Sequence, residues 1–224
     1  MYVDWMRFFT GLPKLDEKLG GGISPKTLTL IYGEEKTGKT SLALRICALA
    51  TRAASAAYVD CSGRLHPLRL SQIMEANKGD ESRLYLLSVD SFYEQERAVL
   101  SLYDLRPPAH LVVFDDFTAL HRLEITGEIK HDMSVYKMLA FQVAALKEAA
   151  MRKDLAVIIV GQVHDIPDKG EVKAVAQRIL SHWADNIVKL EKNPALRLGE
   201  ILIEKPRMEK PISYKISRQG LVQA

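Results

Sequence analysis

Three runs of this chain combine apolar and β-branched residues with no charge among them: Thr27–Tyr32, Leu111–Phe114 and Leu155–Val160. Continuous apolarity predicts strands buried on both faces, as in a parallel sheet. Ala56–Asp60 and Arg83–Val89 read as two further strands. Helical segments alternate with them. Ser41–Ala50 holds strong helix formers and neither Gly nor Pro, Leu68–Ala76 follows Pro67, and Phe92–Tyr103 is a third. Within Met133–Lys153, residues Tyr136, Leu139, Val143, Leu146 and Ala150 recur at helical spacing, so that face belongs to the core. A short helix from Pro13 to Leu19 is opened by its proline and stopped by Gly20-Gly21-Gly22.

The tail changes character. Asn186–Leu190, Glu200–Glu204 and Ile212–Ile216 are short alternating segments split by turns, which predicts antiparallel strands with no helices between them. The expected fold class is therefore α/β: a mostly parallel central sheet, helices on both faces and a short antiparallel C-terminal extension. Residues 1–12 read as an aromatic N-terminal arm that folds back on its own domain, and 13–224 as the core. A chain of 224 residues can bury a sizeable core as one domain. No run approaches the length of a membrane span, and no cleavage-site pattern follows Met1–Phe9. The two cysteines, Cys47 and Cys61, lack metal-ligand spacing. A reducing, cytoplasmic setting without zinc is expected. The net charge of +3 is too small to predict a partner by itself.

Candidate chemistry sits between the first strand and the first long helix. Gly33-Glu34-Glu35-Lys36-Thr37-Gly38-Lys39-Thr40, followed by Ser41, fits the phosphate-binding pattern G-x-x-x-x-G-K-[ST]. Strand, glycine loop, helix is the order that this chemistry requires. Glycines let backbone N–H groups curl around phosphate oxygens, and the helix N-terminus adds partial positive charge. Lys39 can reach the β- and γ-phosphates, and the Thr40 hydroxyl can hold magnesium. A magnesium nucleotide also needs an acid on a neighbouring strand. Asp115 is the first candidate and Asp116 the second. Gln162 ends the next apolar strand, where it either senses a γ-phosphate or bonds a loop backbone.

Several stretches together resemble the RecA-superfamily ATPase core: Gly11–Asp16 with Gly20–Ile23, the phosphate loop, Tyr58–Asp60, Leu111–Asp115 and Ile158–His164. The tail, with Glu204-Lys205-Pro206-Arg207 and Ile216–Gly220, is similar to archaeal RadB-type recombinase paralogues, and the likeness spans about residues 9–222. The resemblance implies a RecA-like P-loop NTPase core that binds ATP and Mg2+, in a family lacking the N-terminal DNA-binding domain of RadA. It implies that Arg69 stacks on adenine, which suits a planar guanidinium. It makes Lys39 and Gln162 the catalytic pair, with Gln162 opening a DNA-facing loop. Lys205 and Arg207 match positions that reach a neighbour's γ-phosphate, or are solvated charges on an edge.

One departure bears on turnover. Relatives place a glutamate two residues after the Asp60 position to activate water, and here that place holds Ser62. A serine near its free pKa cannot take that proton, and general-base catalysis is typically worth ~10²–10⁴-fold. The expectation is ATP binding with weak hydrolysis in a recombination accessory protein. The alternatives are an active DNA-dependent ATPase of strand exchange and a KaiC-like signalling ATPase. A RadA-type recombinase or another paralogue is the expected protein partner, and no Phe-x-x-Ala assembly motif supports a homo-oligomer. Single-stranded DNA binding is expected to be weak. The loops Phe117–Ser134 and Val163–Arg178 mix charges of both signs, whereas Lys189–Arg218 gathers eight Lys/Arg against four Glu.

Overall fold

The computed structural model describes residues 6–104, 109–162, 170–195, 197–207 and 210–224. In chain order the elements are α1 (Pro13–Lys18), β1 (Thr27–Gly33), α2 (Lys39–Ala50), β2 (Ala56–Asp60), α3 (Pro67–Ala76), β3 (Leu84–Ser88) and α4 (Phe92–Asp104). Then come β4 (Leu111–Asp115), α5 (Ala119–Glu124), α6 (Ile129–Lys153), β5 (Ala156–Gln162) and α7 (Gly170–Trp183). The chain closes with β6 (Asn186–Asn193), β7 (Leu198–Lys205), β8 (Ile212–Ser217) and β9 (Gly220–Gln223). All nine strands form one sheet in the order β3-β2-β4-β5-β1-β6-β7-β8-β9. The pairs from β3 to β6 are parallel, and those from β6 to β9 antiparallel.

Uninterrupted apolarity has a direct structural consequence. Leu111, Val113, Ala156, Ile158 and Val160 enter one core with α2 and α3, joined by Ile212, Tyr214 and Leu221 from β8 and β9. Val112, Phe114, Val157 and Ile159 enter the opposite core with Val99, Leu139, Leu146 and Leu180 of α4, α6 and α7. Successive side chains of a strand point to opposite faces, so only an unbroken apolar run fills both cores. Among the described residues β3 has no partner strand on its outer side, and Tyr85, Leu86 and Leu87 are each about half exposed. Phe8 pairs with Ile23 and is buried with Leu12, so the chain from there onward packs on the domain. Tyr2 and Trp5 of the expected arm lie outside the described residues. No described helix is long and apolar enough to cross a membrane.

Four features differ from the sequence reading. α6 starts at Ile129 rather than Met133, and α5 lies inside Phe117–Ser134, leaving only residues 125–128 between the two helices. α7 occupies part of the expected loop Val163–Arg178, whose residues 163–169 lie outside the described set. β9 adds a strand to the extension. The reason for α5 and β9 is shared. Both are short, with six and four residues, and their conformation comes from docking on the cores, which overrides weak local preference.

Arg45, on α2, ties the extension down. Its Nε donates to Asn77 Oδ1 at 3.2 Å and its Nη1 to the Leu221 carbonyl, and only 8% of the residue is exposed. Arg45→Met keeps the aliphatic stem but orphans both acceptors. The expected loss is about 1–3 kcal/mol for each orphaned group, read as a lower urea midpoint with an unchanged slope.

His121, on α5, is 2% exposed between the Phe92 and Tyr136 rings, and neither ring nitrogen has a hydrogen-bond partner among the described residues. Burial, aided by the Arg122 charge, pushes its pKa down to about 4. The folded state thus holds His121 neutral where the unfolded chain, with a histidine pKa of about 6.5, takes a proton. Its stability contribution is fully present above about pH 6.5 and is lost as pH falls toward 4, at up to about 1.4 kcal/mol per pH unit. His121→Phe retains the ring packing and removes the titration. The difference in stability between variant and wild type should therefore widen in the variant's favour as pH falls through this window, measured by urea unfolding at successive pH values.

Candidate nucleotide site

The carboxyl ends of β1, β2, β4 and β5 converge on a cleft of about 670 Å3. In open α/β sheets this is where ligands bind. The loop after β1 forms its floor. Gly33, at φ +150°, must be glycine, because a Cβ there would stand 2.0 Å from the Leu190 carbonyl oxygen of β6. Gly38 adopts φ +94° at the entry to α2, a left-handed conformation that L side chains resist. Thr37 braces the loop by donating to the Glu34 carbonyl at 2.9 Å.

Lys39 is 9% exposed, and its Nζ donates to the carbonyls of Gly33 at 2.9 Å and Glu34 at 2.6 Å. Burial lowers its pKa, while Asp116 and Asp115 pull it back. Asp115 is 5% exposed. It accepts from the Tyr58 hydroxyl at 2.6 Å and is hydrogen-bonded with Thr40. Burial pushes its pKa up to about 6 against those two hydrogen bonds. Asp116, joined to Asp115 by a cis peptide, is engaged elsewhere. It accepts from Thr118 N at 2.9 Å and Oγ1 at 2.6 Å, and pairs with Arg122 at 3.1 Å. Of the two candidate acids, only Asp115 is thus paired with the loop's Thr40.

Gln162 lines the same cleft. Its Oε1 accepts from Arg122 Nη2 at 3.3 Å, and its Nε2 is buried with no hydrogen-bond partner among the described residues. A buried amide nitrogen without an acceptor costs free energy, and a γ-phosphate oxygen is the kind of acceptor it lacks. Ser62 also lines the cleft, with its hydroxyl donating to Asp60 Oδ1 at 3.0 Å. Asp60 further accepts from Ser62 N and Leu65 N, which fixes the turn after β2. Glu35 lies at the rim, 3.8 Å from Arg64. Glu34 and Lys36 are exposed on the loop.

Three expected residues lie apart from this group. Arg69, on α3, donates to Ser41 Oγ at 3.2 Å and to the carbonyls of Ser217 at 2.8 Å and Arg218 at 3.2 Å, so it bridges the start of α2 to the β8–β9 turn. Lys205 Nζ donates to the Ala184 carbonyl of its own chain at 2.6 Å. Arg207 is exposed in the following turn. Two contributors were missed in the sequence: Arg122, counted only among loop charges, and the Tyr58 hydroxyl. A helix assigned over 119–124 places Arg122 one turn beyond Thr118, where its Nη1 donates to the Thr118 hydroxyl oxygen at 2.7 Å. Tyr58 follows from register, since β2 pairs with β4 so that Asp60 stands opposite Asp115.

Phosphate loop, lysine, hydroxyl, strand-end aspartate and strand-end glutamine fit a magnesium nucleotide. Thr40 and Asp115 are the residues suited to the metal. Among the described residues no cluster of three or more His, Cys, Asp or Glu offers another metal site, and Cys47 and Cys61 are buried free thiols.

Comparison with known proteins agrees with this architecture. Residues 3–224 match the Rad51 family. The chain is 33% identical over 222 residues to the DNA repair and recombination protein RadB of Thermococcus onnurineus, covering 95% of each. It is 31% identical over 209 residues to the protein of that name from Methanocaldococcus jannaschii, covering 92% of this chain and 98% of the relative. A crystal structure of the RadB recombinase superposes with a TM-score of 0.79 at 31% identity, covering 97% of this chain and 99% of the other. The chain belongs to the Rad51 family, among its RadB-type members.

Proposed function

We propose that this protein binds Mg-ATP in the cleft with weak hydrolysis and serves as an accessory protein in homologous recombination and DNA repair. The observation that carries this reading is the meeting of Lys39, Thr40, Asp115 and the unpartnered Gln162 Nε2 in one cleft. The recombination role rests on the relatives, which bear the name DNA repair and recombination protein RadB. A RadA-type recombinase or another paralogue is the protein partner, and single-stranded DNA is a weak ligand.

Each residue has a distinct task. The N–H groups from Gly33 to Thr40 cradle the phosphates, and Lys39 exchanges its two loop carbonyls for β- and γ-phosphate oxygens. Thr40 and Asp115 orient magnesium, which supplies charge neutralisation when bound. Gln162 offers its Nε2 to the γ-phosphate while Arg122 holds its other end. Arg69, which donates to Ser41 Oγ beside the phosphate loop, is the residue assigned to adenine in this reading. Positioning and charge neutralisation remain without a general base, so turnover is slow rather than absent. An active strand-exchange ATPase is disfavoured because Ser62 spends its proton on Asp60 and offers no carboxylate to water.

Two measurements test this. Lys39→Ala should weaken ATP binding about 10–100-fold in a calorimetric titration, the range expected for charge-assisted hydrogen bonds. Unchanged affinity would place the nucleotide elsewhere. Ser62→Glu should raise ATP turnover toward the ~10²–10⁴-fold typical of a positioned base, with and without single-stranded DNA. A wild-type rate equal to that of an active recombinase, or no gain in the variant, removes the proposed role of Ser62.

A further inference from the structure

The phosphate loop and the turn after β2 face each other across the nucleotide cleft. In the sheet, β5 and β4 lie between β1 and β2, so two strands separate the bases of these loops. Glu35 on the loop and Arg64 on the turn nevertheless approach to 3.8 Å. Both line the cleft, as do Asp115 at the end of β4 and Gln162 at the end of β5. The pair therefore reaches across the strand ends that carry the residues suited to magnesium and to a terminal phosphate.

The cations of the cleft are not equivalent. Lys39 is buried against two loop carbonyls, and Arg122 is divided among Thr118, Asp116 and Gln162. Lys36 belongs to the loop itself, whereas Arg64 stands on the opposite wall with 75% of its side chain exposed. Among the described residues Arg64 makes no side-chain hydrogen bond, and its 3.8 Å to Glu35 exceeds hydrogen-bond length. Its donors form a planar fork that matches two oxygens of one phosphate. A Cβ on the neighbouring Gly63 would meet nothing within 4 Å, so the guanidinium has open space in which to turn. An exposed ion pair of this kind contributes little. A more highly charged acceptor can therefore displace Glu35 at small cost.

We propose that Arg64 leaves Glu35 to clasp the terminal phosphate of a bound triphosphate, so that the cleft prefers ATP to ADP through a guanidinium supplied by its own chain. The proposal rests on the Mg-ATP reading above and adds to it the discrimination between triphosphate and diphosphate. A diphosphate seated in the loop leaves Arg64 with Glu35, because it lacks the group that would draw the guanidinium across. A triphosphate supplies that group, and a forked, charge-assisted contact replaces a long ion pair. Contacts that are equal in the ground and transition states tighten binding without raising turnover. Beside Ser62, which offers no carboxylate, Arg64 thus favours retention of ATP over its hydrolysis. Occupancy of the site then follows the ratio of ATP to ADP.

The test is calorimetric titration of wild type, Arg64→Ala and Arg64→Lys with Mg-ATP and, separately, with Mg-ADP. Arg64→Ala should lower the ratio of ATP to ADP affinity about tenfold, with the loss falling on ATP. Arg64→Lys keeps the charge but not the fork, and its ratio should lie between the other two. Because the side chain is exposed, the urea midpoint of both variants should match wild type, which separates lost recognition from lost folding. An unchanged ratio in Arg64→Ala overturns the proposal while leaving the nucleotide reading intact. An equal loss of ATP and ADP affinity also overturns it, since Arg64 would then attract anions without distinguishing them. A wild type that binds neither nucleotide removes the Mg-ATP reading itself, and this proposal with it.

Discussion

Three charged side chains, Lys39, Asp115 and Asp116, are each less than a tenth exposed within one cleft, and the rest of the site is built around keeping them there. Burying a charge is costly unless it is paired and hydrogen-bonded. The structure meets that requirement separately for each. Two loop carbonyls hold Lys39, Tyr58 and Thr40 hold Asp115, and Thr118 with Arg122 holds Asp116. The partners of Lys39 and of Asp115 differ in how exchangeable they are. Loop carbonyls can be surrendered to phosphate oxygens, whereas Tyr58 is fully buried and stays. The site is preorganised where it must be and adaptable where a ligand enters.

Strand order makes this meeting unavoidable. β5 pairs with β1 and β4 with β5, all parallel, so Asp115, Gln162 and the phosphate loop all emerge at the carboxyl ends of the strands. Gly33 sits in register opposite both Gln162 and Leu190, and its missing side chain is what lets β6 approach. The same strand on its other side carries the β6–β7 hairpin and its cations. The phosphate loop therefore stands between the nucleotide cleft, where acids and bases are mixed, and the cations Lys192, Arg197 and Lys215.

The antiparallel extension is more than an appendage. Through Arg45 and Leu221 it is fastened to α2, and through Tyr214 to the loop carbonyl of Thr37. Arg69 repeats the tie from α3 to the β8–β9 turn. Movement of the phosphate loop is thus mechanically connected to strands that end on the far side of the sheet. Ser62 stands outside these ties, bound only to Asp60 within its own turn.

The unbroken apolar runs of Thr27–Tyr32, Leu111–Phe114 and Leu155–Val160 marked strands buried on both faces, and their alternation with helical segments made a parallel sheet between two cores the expected packing. The phosphate loop and strand-end acid were legible for the same reason: their chemistry needs fixed local spacing, and local spacing is written in the chain. α5 and β9 were not legible, since each is too short to show a period and is helical or extended only because it docks on a finished core. The choice between Asp115 and Asp116 was likewise left to the tertiary structure. Asp115 ends β4 and Asp116 opens the turn after it, and only the positions of Tyr58, Thr40 and Arg122, brought from three other elements, say which carboxylate each faces. The mouth of the cleft follows the same logic. Glu35 and Arg64 stand on loops after different strands, and the sheet alone brings them together.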